Sequence, residues 1–238
     1  MQKIFVAAIL LLTSPAFGNV QGIGNAVVDD GVTTLSWRNS YNSDDPSNAL
    51  NERWQTRLMA DHGLTDDLAL GAYVQGDRRA HDNLELDSAM AELRYELTGM
   101  KTHPFYSGFR LRYFLRDGSK GSDMAHVRFI IGRSAGKWDA RYNQIVSHEI
   151  GPQATGGLLF DTRVQATYGY AENHRAGLEA FLDFGHASRT DFREQTHTLG
   201  PVFTGWIDED ISYEAGYRTA LSESAPQHTV KFFISRRF

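Results

Sequence analysis

The last eight residues, 231–238, read KFFISRRF. Within them an apolar set alternates with a polar set, namely Phe232, Ile234 and Phe238 against Lys231, Ser235 and Arg237. This period of two is typical of a β-strand, because successive side chains point to opposite faces of a sheet. The last residues of most domains are poorly ordered. A bulky aromatic residue at the final position therefore predicts a strand that is held to its very end.

Eleven earlier segments show the same alternation, with turn residues between them. Together with the closing strand they make twelve predicted strands, at residues 33–41, 53–61, 67–77, 88–97, 105–116, 124–132, 137–146, 158–170, 175–185, 195–206, 211–221 and 229–238. The tenth alternates least well and contains Pro201, which cannot donate a hydrogen bond to a neighbouring strand. We expect this strand to be bulged or misassigned.

The connections between these segments alternate between longer and shorter stretches. The longer ones include residues 42–52 and 186–194, and the shorter ones include residues 171–174 and 208–210. Outer-membrane barrels have short periplasmic turns and longer external loops. If the twelve strands form such a barrel, their even number places both chain ends at the short-turn side, which is the periplasmic side.

The start of the chain predicts export from the cytoplasm. Lys3 precedes an apolar run from Ile4 to Leu12, and Ala16-Phe17-Gly18 places small residues before a cleavage point at Asn19. The run is too short for a membrane-spanning helix and is typical of a cleaved signal peptide. We predict a signal peptide at residues 1–18, a flexible lead-in at 19–31 and one barrel domain at 32–238. Gly22-Ile23-Gly24 lies in the lead-in and is not a dinucleotide-binding motif.

The composition excludes several functional classes. The chain has 24 basic and 29 acidic residues and a net charge of −5, which does not indicate a nucleic-acid-binding protein. It has no cysteine, so it has neither disulfides nor a cysteine zinc site. We predict no metal ion and no cofactor.

A soluble β-sandwich is the main alternative to a membrane barrel, since its strands also alternate. Arginine on most of the polar faces favours the barrel, because a lumen can hold arginine against acidic residues. Aromatic residues near strand ends favour it too, because such residues form girdles at membrane interfaces. They are Tyr41, Trp54, Tyr95, Trp138, Tyr168, Tyr170 and Trp206.

The signal peptide, the twelve strands and the terminal Phe238 together resemble bacterial outer-membrane β-barrel proteins. The last strand, with Phe232, Ile234 and Phe238, is similar to the signal read by the barrel assembly machinery. The size and the arginine-bearing face are similar to small twelve-stranded porins, including oligogalacturonate-type channels. The resemblance implies an antiparallel up-and-down transmembrane barrel that contacts outer-membrane lipid and is not an enzyme.

If the apolar faces meet lipid, the polar faces line the lumen, and arginine on most of them makes this lining basic. A basic lining attracts anions, and arginine binds carboxylate and phosphate groups in a bidentate manner. The leading hypothesis is passive passage of small, anionic solutes through a narrow lumen. The predicted pore-lining residues are Arg57, Arg94, Arg110, Arg112, Arg128, Arg141, Arg163 and Arg218.

Two alternatives stay open at this point. Acidic residues on the same faces could pair with the arginines and fill the lumen, since a twelve-stranded barrel lies between filled and open sizes. The protein would then be a non-conducting barrel that acts through its external loops. The weakest alternative is a lipid hydrolase, because Ser147-His148-Glu149 has the residue types of a catalytic triad. Neighbouring strand residues point to opposite faces, however, and cannot form such a relay.

Overall fold

The computed structural model describes residues 20–99, 104–118, 121–188 and 191–238. They form twelve antiparallel strands in a closed barrel, in which each strand pairs with the next and β1 pairs with β12. The predicted fold and strand number are confirmed. The strands are β1 (Thr33–Ser43), β2 (Trp54–Gly63), β3 (Leu68–Arg78), β4 (Glu85–Thr98), β5 (Phe105–Arg116), β6 (Asp123–Ala135), β7 (Trp138–Ile150), β8 (Leu159–Ala171), β9 (His174–His186), β10 (Thr196–Trp206), β11 (Ile211–Ala220) and β12 (His228–Arg237).

The end of the chain closes the barrel. Strand β12 pairs with β1 in a register that places Ile234 opposite Trp37. The backbone N–H of Phe238 donates to the carbonyl of Thr33 at 2.9 Å, and the N–H of Thr33 donates to the carbonyl of Phe238 at 3.2 Å. The last residue therefore completes the ladder of hydrogen bonds that a barrel in lipid requires.

The outer surface of the barrel carries a belt of exposed apolar side chains. Leu58 is 59% exposed, Leu178 is 57% exposed and Phe129 is 52% exposed. Exposed apolar groups on so many neighbouring strands are costly in water and stable against lipid tails. Phe232 and Phe238 belong to this face, and Ile234 lies beside them, half-buried.

Trp206 is an exception among the predicted girdle aromatics. It pairs with Ser212 of β11 and lines a cavity inside the barrel, so its expected place on the lipid face is wrong. The guanidinium of Arg237 stacks over its ring at 5.6 Å. The register of β10 with β9 and β11 does not shift, so Trp206 lies on the same face as the buried Thr198, Gly200 and Val202.

Pro201 does not break the tenth strand. Strand β10 pairs continuously with β9 past this position, whereas its ladder with β11 is interrupted at Gly200 and Pro201. The proline faces outward, and the expectation of a misassigned strand is wrong. Gly200 is required beside it, because a Cβ there would lie 1.9 Å from the carbonyl oxygen of Tyr217.

The connections follow the predicted alternation of loop lengths, except that 99–104 on the short-turn side is as long as 79–84 and 117–122 on the long-loop side. One end of the barrel carries the long loops, such as residues 44–53 and 187–195, and the other end carries the short turns, such as 136–137 and 172–173. The start of β1 and the end of β12 both lie at the short-turn end of the barrel. Among the described residues, no helix is long and apolar enough to cross a membrane.

Residues 20–30, here called the inner segment, enter the lumen instead of extending away from the barrel. Val20, Ile23, Ala26 and Val28 are each at most 3% exposed. The barrel wall therefore encloses most of the residues that the sequence predicted as a lead-in ahead of the barrel. The predicted signal peptide at residues 1–18 lies outside the described residues.

Candidate functional site in the barrel lumen

All eight arginines predicted from the polar faces point into the barrel. Arg94 and Arg141 are half-buried, and the other six are buried. Cross-strand pairing places Arg94 beside Arg110 and Arg110 beside Arg128, which forms a basic row across β4, β5 and β6. The period of two brings these side chains to one surface, and the register of the ladder makes them neighbours.

Glu92 anchors the first of two buried ion-pair networks. Its carboxylate accepts from Arg110 at 3.2 Å and from Arg94 at 3.5 Å, and it also pairs with the Nε of Arg112. Arg94 makes a further pair with Asp61 at 3.0 Å. These contacts fix the three guanidinium groups in place, because each buried charge has a partner.

Glu179 anchors the second network, on the opposite wall. It accepts from Arg218 at 3.3 Å and from Lys231 at 2.5 Å, and Lys231 also donates to Glu214 at 2.6 Å. The Arg218 guanidinium lies 3.8 Å from the centre of the Phe181 ring, a cation–π contact. Separate pairs join Arg141 to Asp139 and Arg163 to Asp161.

Four lumen arginines form no ion pair with a carboxylate of the described residues: Arg38, Arg57, Arg128 and Arg175. Arg57 donates to Gln75 and stacks over the Tyr73 ring at 3.9 Å, and Arg38 stacks over Phe233 at 5.1 Å. Arg128 donates only to neutral oxygens. None of these four cations is therefore neutralised by a direct ion pair with a described acid.

A cavity of about 500 Å³ lies between the inner segment and the barrel wall. It reaches the short-turn end, where Glu172 and Asn173 line it. Glu172 and Glu214 are its only acidic lining residues among the part of the chain that the structure describes. Its arginines are Arg38, Arg57, Arg110, Arg112, Arg128, Arg141 and Arg175. The cavity is thus strongly basic inside a protein that is net acidic.

The inner segment is bound to the wall by its own backbone. Arg128 donates to the carbonyl of Gly22 at 3.2 Å, and Arg110 donates to the carbonyl of Asn25 at 2.8 Å. Asn143 holds Gly24 from both sides: its side-chain oxygen accepts from the Gly24 N–H at 2.9 Å, and its side-chain nitrogen donates to the Gly24 carbonyl at 3.0 Å.

Three more contacts hold the part of the segment that lies closer to the short-turn end. Arg94 donates to the carbonyl of Val27 at 3.2 Å. The N–H of Val28 donates to the carboxylate of Glu96 at 2.6 Å. At the mouth of the barrel, Asp29 forms an ion pair with Arg237 at 3.0 Å.

An apolar row occupies part of the remaining lumen. Cross-strand pairing joins Met59, Tyr73, Met90, Phe114 and Met124 in succession, and all five are buried. The rings of Tyr73 and Phe114 meet edge to face at 5.9 Å. The lumen is therefore a partly filled space with one basic cavity.

Ser147, His148 and Glu149 do not meet in a catalytic arrangement. Ser147 and Glu149 are buried inside, whereas His148 is exposed and its Nδ1 lies 2.9 Å from the carbonyl oxygen of Gly157. Within the described ranges, no group of three or more His, Asp or Glu side chains is arranged to hold a metal ion.

Several residues of this site were missed by the sequence reasoning. Asn143 and the inner segment carry no local signal, because their contact at Gly24 joins positions 119 residues apart. Phe181 and Phe233 occupy positions that the strand alternation assigns to the polar, inward faces. The alternation alone could therefore have predicted that they lie beside the arginines. The Tyr106 ring occupies the space that a Cβ on Gly132 would take.

The comparisons with known proteins identify the fold. Three solved structures with this fold are a NanC porin in a rhombohedral crystal form, a KdgM porin, and a KdgM porin in complex with disordered oligogalacturonate. The NanC porin is 10% identical, has a TM-score of 0.62 and covers 85% of this chain and 98% of its own. The two KdgM structures are 9% and 8% identical, with TM-scores of 0.61 and 0.59, and each covers 86% of this chain and 99% of its own.

No protein-family model and no curated protein matches the chain. At these identities the likeness concerns the fold alone. The chain therefore has the twelve-stranded barrel architecture found in small porins, and its function has to be argued from its own lumen.

Proposed function

We propose that this protein is an outer-membrane channel for passive passage of small anionic solutes. The basic cavity supports the proposal most directly, because seven arginines and only two acidic residues line it among the described residues. A charged cavity with low-dielectric walls raises the local concentration of ions of opposite charge. The porin fold, shared with a KdgM porin in complex with disordered oligogalacturonate, supports the same function.

Arg57 and Arg128 are the cations through which anion preference is best tested. Neither forms an ion pair with a carboxylate of the described residues, so replacing them leaves no buried acid without its partner. Arg110 and Arg112 are less suitable, because both pair with the buried Glu92.

The experiment measures the reversal potential of the refolded protein in a planar bilayer under a salt gradient. We expect a reversal potential that favours anions, and a shift towards zero in the double variant Arg57→Gln/Arg128→Gln. Arg193→Gln is the matched control, since this arginine lies in an exposed loop and pairs with Glu223 at 3.6 Å. An unchanged reversal potential in the double variant contradicts the proposed role of the lumen charge.

A further inference from the structure

The inner segment gives the lumen a feature that passive passage does not require. We propose that residues 20–28 are a built-in plug, which closes the basic cavity towards the long-loop end and uses the cavity's own arginines as its seat. The inference rests on the proposed function, because a segment can block passage only in a barrel through which solutes pass.

The fit between the segment and the wall supports a specific seat. Ala26 is fully buried against Tyr106 and Ile130, and a Cβ on Gly108 would lie 2.8 Å from the Cβ of Ala26. On the segment itself, a Cβ on Gly24 would lie 3.2 Å from the Arg110 guanidinium. Small residues on both surfaces therefore allow the close approach that these hydrogen bonds need.

The plug and an anionic solute use the same donors. Arg110 and Arg128 line the cavity, and both donate to carbonyl oxygens of the segment. A carboxylate or phosphate is a stronger acceptor for guanidinium than a neutral carbonyl. The segment therefore holds two of the cavity's cations in contacts that an anion can replace.

The segment is attached in a way that allows it to leave its seat. Asp29 is held at the mouth by Arg237, and the N–H of Gly31 donates to the carbonyl of Gly63 at 3.0 Å. These contacts anchor residues 29–31 beside β1 at the short-turn end. Residues 20–28 can thus leave the lumen wall without breaking the pairing of β1 in the barrel.

Chemical labelling tests whether the segment occupies the lumen. The chain has no cysteine, so a single Ala26→Cys substitution gives one labelling site. The assay compares this variant with Ser47→Cys, whose position lies in an exposed loop, and both proteins are folded in detergent. We expect the cysteine at position 26 to react far more slowly with a polyethylene-glycol maleimide than the cysteine at position 47. Equal labelling rates overturn the proposal.

Bilayer conductance tests whether the segment blocks passage. We compare the full mature chain with a variant that lacks residues 20–27, after confirming by heat-modifiable mobility that both are folded. We expect the deletion to conduct several-fold more and to favour anions more strongly, because it frees Arg110 and Arg128. Equal conductance of the two chains overturns the plug and leaves the channel standing. Absence of current from the folded deletion variant overturns the proposed function and the plug with it.

A point variant keeps the test decisive if the deletion does not fold. Asn143→Ala removes both hydrogen bonds to Gly24. Gln165→Ala is the control, because Gln165 is also a buried amide in the lumen but makes no described contact with the inner segment. We expect Asn143→Ala alone to speed labelling at position 26 and to raise conductance. Identical behaviour of the two variants overturns the proposed seat.

Discussion

Replacing Glu179 with glutamine tests how much of the barrel's stability depends on its lumen charges. The Glu179 carboxylate is fully buried and neutralises Arg218 at 3.3 Å and Lys231 at 2.5 Å. Glutamine has nearly the same shape, so the change removes charge and leaves packing almost intact. The variant removes the ion pair between Arg218 and Glu179, while Lys231 keeps its pair with Glu214.

The magnitude follows from the geometry. At an effective dielectric constant of about 20, one pair of charges at the Arg218 distance interacts with about 5 kcal/mol. Lys231 loses less interaction energy, because the carboxylate of Glu214 still pairs with it. Removing one partner from a buried pair typically costs about 3–5 kcal/mol, and we expect the free energy of unfolding to fall by an amount in that range. For a chain of this size, that corresponds to a melting temperature lower by about 6–20 °C.

The assay is thermal unfolding of the refolded barrel in detergent, followed by the loss of the compact band in gel electrophoresis. Glu209→Gln is the matched control, since it makes the same chemical change on an exposed turn. We expect the control to melt within a degree or two of the unmodified protein, because an exposed surface charge contributes little. If Glu179→Gln and Glu209→Gln melt together, the buried network does not stabilise this barrel and the reasoning is wrong.

Two further predictions concern packing and assembly. Gly132→Ala should strongly reduce the refolded fraction, because the new Cβ would lie 2.0 Å from the Tyr106 ring, whereas Gly118→Ala meets nothing within 4 Å and should refold normally. Equal refolded fractions, measured by heat-modifiable mobility, contradict this packing argument. Phe238→Ala should lower the amount of protein in the outer-membrane fraction, because it removes the terminal aromatic of the predicted assembly signal. Phe192→Ala, an exposed aromatic in a loop, is the control, and equal amounts of the two variants argue against that signal.

The predicted strands were accurate because alternation is a local property of the sequence. Each strand is specified by residues within about ten positions of one another, and the lipid-facing set is apolar almost without interruption. The exception at Trp206 has a local cause too: it has the same parity as Thr198 and Val202, which are buried in the same strand.

The contents of the lumen were accessible from the sequence only in part. The period of two placed all eight predicted arginines inside, but it did not indicate which of them has an acidic partner. Glu92 has three basic partners and Arg128 has no acidic partner among the described residues, although their strands have the same alternating pattern. That difference depends on the register between strands, which the pattern of a single strand does not contain.

The sequence by itself therefore determined a twelve-stranded barrel with an apolar exterior and an arginine-bearing interior, since both follow from a short-range period. Only the tertiary structure decided how that interior is filled. Gly24 and Asn143 lie 119 positions apart and meet only after the barrel has closed around the inner segment. Contacts of this kind depend on the diameter and register of the whole barrel, and no local pattern records them.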